Sequence, residues 1–85
     1  MKKIQSVPIW SNGMIKNAEV LDSHINNDNL LTSAKFSYKL LTTDLEVVAF
    51  GDLLMEGQDY ADFQTNQYAW DWIASKLNLI IIEDF

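Results

Sequence analysis

The fold is decided by a seven-residue segment in which apolar and polar side chains alternate, Ala34-Lys35-Phe36-Ser37-Tyr38-Lys39-Leu40. Successive side chains of a β-strand point to opposite faces of the sheet, so a period of two predicts a strand with one buried face. The alanine, the aromatic residues and the leucine then face the core. The lysines form a basic stripe on the outside.

The chain before this segment predicts a β-hairpin. Asn12-Gly13 is the favoured pair for a type I′ turn because both central residues need positive φ, and it separates predicted strands over residues 4–10 and 14–25. Pro8 has no N–H to donate, which favours a first strand at the margin of the sheet. A polar loop, Asn26-Asn27-Asp28-Asn29, then leads to the alternating strand.

The chain after this segment predicts a further strand. Thr42-Thr43-Asp44 is rich in residues that hydrogen-bond their own backbone, and it predicts a turn into a strand over residues 46–55. The side chains on both faces of that strand are apolar, and Gly51 lies in its middle. We therefore expect a bulge at Gly51 or a covered second face.

The last third of the chain predicts helix and then strand. Residues 58–63 form one helical turn, and a helix over residues 66–77 begins at a cap provided by Thr65 or Asn66. Residues 79–82 are aliphatic and predict a short final strand. Residues 1–85 are therefore expected to form a single α+β domain, an antiparallel sheet of four to five strands with two hairpins, packed against one C-terminal α-helix.

Two large aromatic residues fall on the side of this helix that the pattern predicts to be outside. A stripe at helical spacing faces the core, and its members are Trp70, Ile73, Ala74 and Leu77. Tyr68 and Trp72 form an i, i+4 pair away from that stripe. Either residues 58–63 fold over the pair, or it is an aromatic anchor for another chain.

The charge of the chain is uneven along its length. Its twelve acids and six lysines, with no arginine, give a net charge of −6. Residues 1–39 carry five lysines and three acids, whereas residues 40–75 carry seven acids and no base. Nucleic-acid affinity comes mainly from neutralising phosphates, so we expect no nucleic-acid partner. The acidic half is either a solvated surface or a face that meets the basic edge of a second copy.

Other classes are disfavoured by what the sequence lacks. It has no cysteine for a disulfide or a thiolate, and nothing after Met1-Lys2-Lys3 resembles the apolar core of an export signal. Its longest aliphatic run, residues 79–82, is far shorter than the roughly 20 residues of a membrane helix. We expect neither a signal peptide nor a membrane partner.

Catalytic chemistry finds little support in the sequence. The only histidine, His24, follows Ser23 in a strand-like segment, where neighbouring side chains point apart. Asp59 and Asp62 form an i, i+3 carboxylate pair without a predicted cleft. The loop of residues 26–29 offers oxygen ligands to a cation but lacks the EF-hand spacing, and it is interpreted as a polar turn. We predict no enzyme activity and no cofactor.

Several segments together resemble the short acidic proteins among the structural genes of tailed bacteriophages and prophages. They are Pro8-Ile9-Trp10, Asn12-Gly13, Asp28-Asn29-Leu30, Ala34-x-Phe36-x-Tyr38-x-Leu40, Met55-x-Gly57-x-Asp59-Tyr60 and Ala69-Trp70-x-Trp72-x-Ala74. The resemblance implies a virion-associated or tail-assembly component that is made in the host cytoplasm. Such a protein works by packing against copies of itself or against another structural protein.

The sequence therefore predicts a non-enzymatic structural or adaptor protein. Its candidate interface residues are Tyr68, Trp72, Phe50, Lys35, Lys39, Asp59 and Asp62. The alternative is a small acidic inhibitor that binds a host enzyme or a nucleic-acid-binding protein through carboxylates of its acidic half, Asp52, Glu56, Asp59 and Asp62.

Overall fold

The computed structural model describes residues 1–28 and 32–85, and within them it contains five strands and two helices. In chain order they are β1 (Lys2–Ser11), β2 (Met14–Asp28), β3 (Ser33–Leu41), β4 (Val47–Glu56), α1 (Gly57–Ala61), α2 (Asn66–Lys76) and β5 (Ile81–Asp84). The strands form one antiparallel sheet in the order β4-β3-β2-β1-β5. The predicted α+β class is confirmed, and a short helix, α1, precedes the C-terminal one.

The turn between β1 and β2 has the predicted geometry. Asn12 and Gly13 have φ values of 51° and 83°. Both are positive, as a type I′ turn requires, and Ser11 pairs with Met14 directly beside the turn. The hairpin is thus fixed by local backbone preference.

The strand β1 lies at the margin of the sheet over only part of its length. Lys2, Lys3 and Ile4 pair with β5, whereas the half that contains Pro8 pairs within the described residues only with β2. The prediction of a marginal first strand is therefore wrong for the first half, because the C-terminal strand returns to pair there. That strand begins at Ile81, two residues later than predicted.

The irregularity in the β3–β4 pair lies near the start of β4 and away from Gly51. The register is continuous from Ser33 opposite Glu56 to Leu40 opposite Ala49, and it then shifts so that Leu41 lies opposite Val47. The prediction of a bulge at Gly51 is therefore wrong. Gly51 lies opposite Tyr38, and a Cβ atom there would approach the Tyr38 Oη to 2.7 Å. The glycine leaves room for the tyrosine ring.

The main core lies between the sheet and α2. Thr65, one of the two predicted candidates, is the N-cap of α2. Its Oγ1 accepts a hydrogen bond from the Tyr68 backbone N–H at 3.1 Å. The helix buries Ala69, Trp72, Ile73 and Ala74. Of these, Ala69, Trp72 and Ile73 belong to the core cluster with sheet residues that include Ile4, Leu21, Ala34, Phe36, Leu40 and Met55. The alternating pattern of β3 is confirmed, since Ala34 and Phe36 are buried there.

The sheet also buries apolar side chains on its opposite face, but only at one end. Leu21 pairs with Leu40 in the main core, and the next pair along, Val20 with Leu41, is also buried. Because successive side chains alternate between faces, Val20 and Leu41 lie on the face away from α2. A second face is therefore covered on β2 and β3, but the covered second face that the sequence predicted for β4 is not observed, since Val47, Phe50 and Leu54 are all exposed.

Candidate interaction surface

The outer face of β3 and β4, on the side away from α2, brings together three of the predicted interface residues. Lys39 lies opposite Phe50, and Lys35 lies opposite Leu54. Between these pairs, Ser37 lies opposite Asp52. Residues directly opposite each other in adjacent strands share a face, so these six side chains form one array, here called the β3–β4 patch.

The β3–β4 patch is apolar at its edge and basic behind it. Phe50 is 79% exposed and Leu54 is 55% exposed. Between them, Asp52 Oδ1 accepts a hydrogen bond from Ser37 Oγ at 2.8 Å, and its Oδ2 lies 3.6 Å from Lys35 Nζ. Lys39 makes no ion pair with any described residue. The patch therefore offers two apolar side chains, with Lys39 behind them and Asp22 of β2 directly opposite that lysine.

The patch ends at an open sheet edge. The strand β4 is ten residues long and stands last in the sheet, so no other described strand pairs with its second side. An edge of this kind presents unpaired backbone N–H and C=O groups, which are a template for another strand. A long edge with exposed apolar side chains is the typical place for a second chain to add.

Trp72 is a core residue, and its prediction as an exposed anchor is wrong. Its side chain is only 8% exposed, and its ring centroid lies 5.9 Å from that of Phe36. Its Nε1–H donates a hydrogen bond to Asp59 Oδ2 at 3.1 Å. Phe63 packs edge-on against the same Phe36 ring. The alternative that residues 58–63 fold over this side of the helix is thus the one observed.

The other three predicted residues lie near this covered side of α2. Tyr68 is half-buried, and burial first, then the negative charges of Asp59 and Asp62, raise the pKa of its phenol. Asp62 accepts a hydrogen bond from Gln58 Nε2 within the segment at 2.9 Å. Asp59 accepts the hydrogen bond from Trp72 Nε1–H. The predicted interface residues thus fall into two groups. One group belongs to the β3–β4 patch, and the other lies where α1 and the following residues pack against α2.

A tyrosine in α1 makes the stability of the fold depend on pH. Tyr60 Oη donates a hydrogen bond to Asp28 Oδ1 at 2.8 Å. That bond, with burial and the carboxylate charge, raises the pKa of Tyr60 above its ordinary value of 10.0. A raised pKa stabilises the fold below the unfolded-state value, and the stabilisation is lost as pH rises through the folded-state value.

We therefore expect the Tyr60→Phe variant to lose less stability than the parent chain when the pH is raised above about 10. The measurement is the midpoint of urea unfolding as a function of pH, with the phenolate absorbance recorded in parallel. Equal losses in the two proteins would contradict the role given to the Asp28 hydrogen bond.

The remaining sequence candidates do not assemble into a chemical centre. Ser23 Oγ donates its hydrogen to the Ser37 carbonyl at 2.9 Å, and His24 is exposed. Within residues 1–28 and 32–85, no three His, Cys, Asp or Glu side chains are grouped to hold a metal ion. The prediction of a polar loop over residues 26–29 is wrong for residues 26–28, which belong to β2, and residue 29 lies outside the described residues. Neither described helix is long and apolar enough to cross a membrane.

Sequence reasoning missed the apolar tip of the first hairpin. Trp10 lies opposite Ile15, and both side chains are strongly exposed, as is that of Met14. The signal was available, because strand residues next to a two-residue turn lie at the end of a sheet, where less of the core can cover them. Leu54 was missed for another reason, since both faces of its strand are apolar in the sequence.

Comparison with known proteins identifies no relative of this chain. The chain matches no protein-family model, no curated protein and no solved structure.

Proposed function

We propose that this chain is a non-enzymatic structural or adaptor protein that assembles with copies of itself through the β4 edge and the β3–β4 patch. The observation that carries the proposal is a ten-residue edge strand with Phe50 79% exposed in its middle. Pairing with a second strand satisfies the open backbone groups and removes part of the exposed apolar surface from water.

An antiparallel pairing of two β4 strands has a register that does not place like charges opposite each other. With the two-fold axis at Gly51, Phe50 lies opposite Asp52 of the second copy, and Leu54 lies opposite Val48. An axis at Asp52 places the two carboxylates directly opposite each other, which is destabilising.

The charges around the edge are compatible with this contact. Each copy carries a net charge of −6, which opposes association over the range of the screened Coulomb interaction. Lys35 and Lys39 lie on the strand behind β4, so positive charge stands next to the proposed contact. Asp52 is already partnered by Ser37 and Lys35. The local repulsion is therefore smaller than the net charge suggests.

The resemblance to short acidic proteins of tailed bacteriophages supports a virion-associated or tail-assembly role for such an assembly. The acidic-inhibitor alternative stays a prediction, and its residues do not act together in the fold. Asp52 pairs with Lys35, whereas Asp59 accepts a hydrogen bond from Trp72. No observation favours that alternative over self-assembly.

The test is the mass of the chain in solution, measured by light scattering after size exclusion at low and high salt. We expect an oligomer for the parent chain and at least about a ten-fold weaker association for Phe50→Lys, because the charge is placed in the middle of the apolar contact. Trp10→Lys is the matched control, since it makes the same change at a similarly exposed aromatic residue on a different strand.

Comparing the mass at low and high salt distinguishes two kinds of contact between copies. An oligomer that persists in high salt is held by strand pairing and apolar contacts, whereas dissociation indicates lysine-to-carboxylate contacts between copies. A parent chain that is monomeric under both conditions would refute self-assembly. An oligomer that is dissociated by Trp10→Lys and left intact by Phe50→Lys would place the contact at the hairpin tip.

A further inference from the structure

A cleft of about 330 Å³ opens between α2 and the sheet, on the face opposite the β3–β4 patch. Its apolar walls come from three elements and the segment before α2, and include Ile25, Phe36, Phe63 and Trp70. Ser23, His24 and Asn66 add polar atoms to the lining. This volume is at the lower end of the range of small-molecule sites, which are typically apolar with a few polar groups.

The cleft reaches from solvent to the centre of the main core. Phe36 and Ile73 line it, and both are almost fully buried residues of the core. Ile25 also lines it and is about half exposed, so an apolar side chain stands at the opening. A molecule in the cleft would therefore contact the core itself and exchange water for apolar surface.

The polar part of the lining consists of one hydroxyl, one imidazole and one amide. No Asp, Glu or Lys is among the lining residues. Ser23 Oγ donates its hydrogen to the Ser37 carbonyl, so towards the cleft its oxygen serves as an acceptor. The Asn66 amide offers both a donor and an acceptor. Such a lining suits a ligand with an apolar body and one hydrogen-bond donor.

We propose that this cleft is a binding site for a small uncharged aromatic molecule that carries a hydroxyl or N–H donor. The aromatic body lies against Phe63 and Trp70, where ring contacts add to the gain from burial. The donor points towards Ser23 or Asn66. The site is separate from the proposed self-assembly, because the β3–β4 patch lies on the other face of the sheet.

The test uses phenylnaphthylamine, an uncharged fluorescent dye with one N–H, whose emission rises in apolar surroundings. We expect saturable binding of one dye per chain. In the amide NMR spectrum, the shifted resonances should be concentrated in residues 23–25 and 63–73. Unsaturable binding, or shifts concentrated at the hairpin tip or in the β3–β4 patch, would overturn the proposal.

Two variants and a matched control make the result specific. Ala69→Leu fills the cleft from α2, and Ile25→Lys places a charge at its opening without touching the buried wall. Each should weaken dye binding at least about ten-fold. Ile15→Lys makes the same change at an exposed residue at the other end of β2, outside the cleft and the β3–β4 patch, and should leave the affinity within about two-fold. Because Ile25 is exposed, its variant keeps the test valid if Ala69→Leu fails to fold. Full-strength binding by folded Ile25→Lys, or equal weakening by Ile15→Lys, would refute the site.

Discussion

The Trp72→Ala variant is expected to lose about 3–5 kcal/mol of unfolding free energy, the usual cost of truncating a large buried aromatic side chain. The ring packs against Phe36 in the main core, and its Nε1–H is the donor to Asp59. Truncation therefore opens a cavity between α2 and β3 and leaves the carboxylate without this partner. Such a loss is a large fraction of the stability of a small domain.

Urea unfolding followed by circular dichroism measures this loss of unfolding free energy. Two further variants separate its causes. Trp72→Phe keeps an aromatic ring against Phe36 while it removes the N–H donor and part of the ring volume, so its loss should be smaller than that of Trp72→Ala. Phe50→Ala truncates an aromatic residue that is exposed, and we expect a change of no more than about 1 kcal/mol. A Trp72→Ala domain as stable as the Phe50→Ala domain would show that Trp72 is not part of the core.

The Leu41→Ala variant is expected to lose about 2–5 kcal/mol, although Leu41 lies on the face of the sheet away from α2. Leu41 is only 5% exposed and pairs with the fully buried Val20. The matched control is Val47→Ala, because Val47 lies directly opposite Leu41 on β4 but is 45% exposed. Its loss should stay below about 1 kcal/mol.

The same urea experiment decides this second prediction. A double variant of Val20 and Leu41 should deviate from the sum of the single losses, because the two side chains are directly opposed and share one buried site. Similar losses at Leu41 and Val47 would mean that the second face is uncovered along its whole length. In that case the apolar surface available to a second chain would extend beyond the β3–β4 patch.

The buried pair also sets one boundary of the proposed interface. Val20 and Leu41 lie on the face that carries Phe50 and Leu54, but at the end where the sheet is covered. Lys16 Nζ lies 2.6 Å from Glu46 Oε1 there and ties the first hairpin to the turn before β4. The middle and far end of β4 carry Phe50 and Leu54, which are both more exposed than Val47 at its start.

The sequence by itself determined the features that depend on neighbouring residues. Asn12-Gly13 has the positive φ values of its turn, Thr65 caps α2, and residues 34–40 alternate as a strand with one buried face. Each of these is selected by backbone preference or by side-chain periodicity within a few residues, and such preferences act before any distant segment is in place.

The tertiary structure alone decided the features that depend on distant partners. Trp72 is buried because α1 and Phe63 lie over the helix face that periodicity assigned to solvent, and Gly51 is required by a tyrosine ring from the next strand. The return of β5 to β1 likewise removed the expected edge at Lys2. A helical or strand period identifies which side chains share a face, but it does not identify what covers that face. Burial is set by packing between segments far apart in the chain, and so the exposed edge at β4 was visible only in the folded sheet.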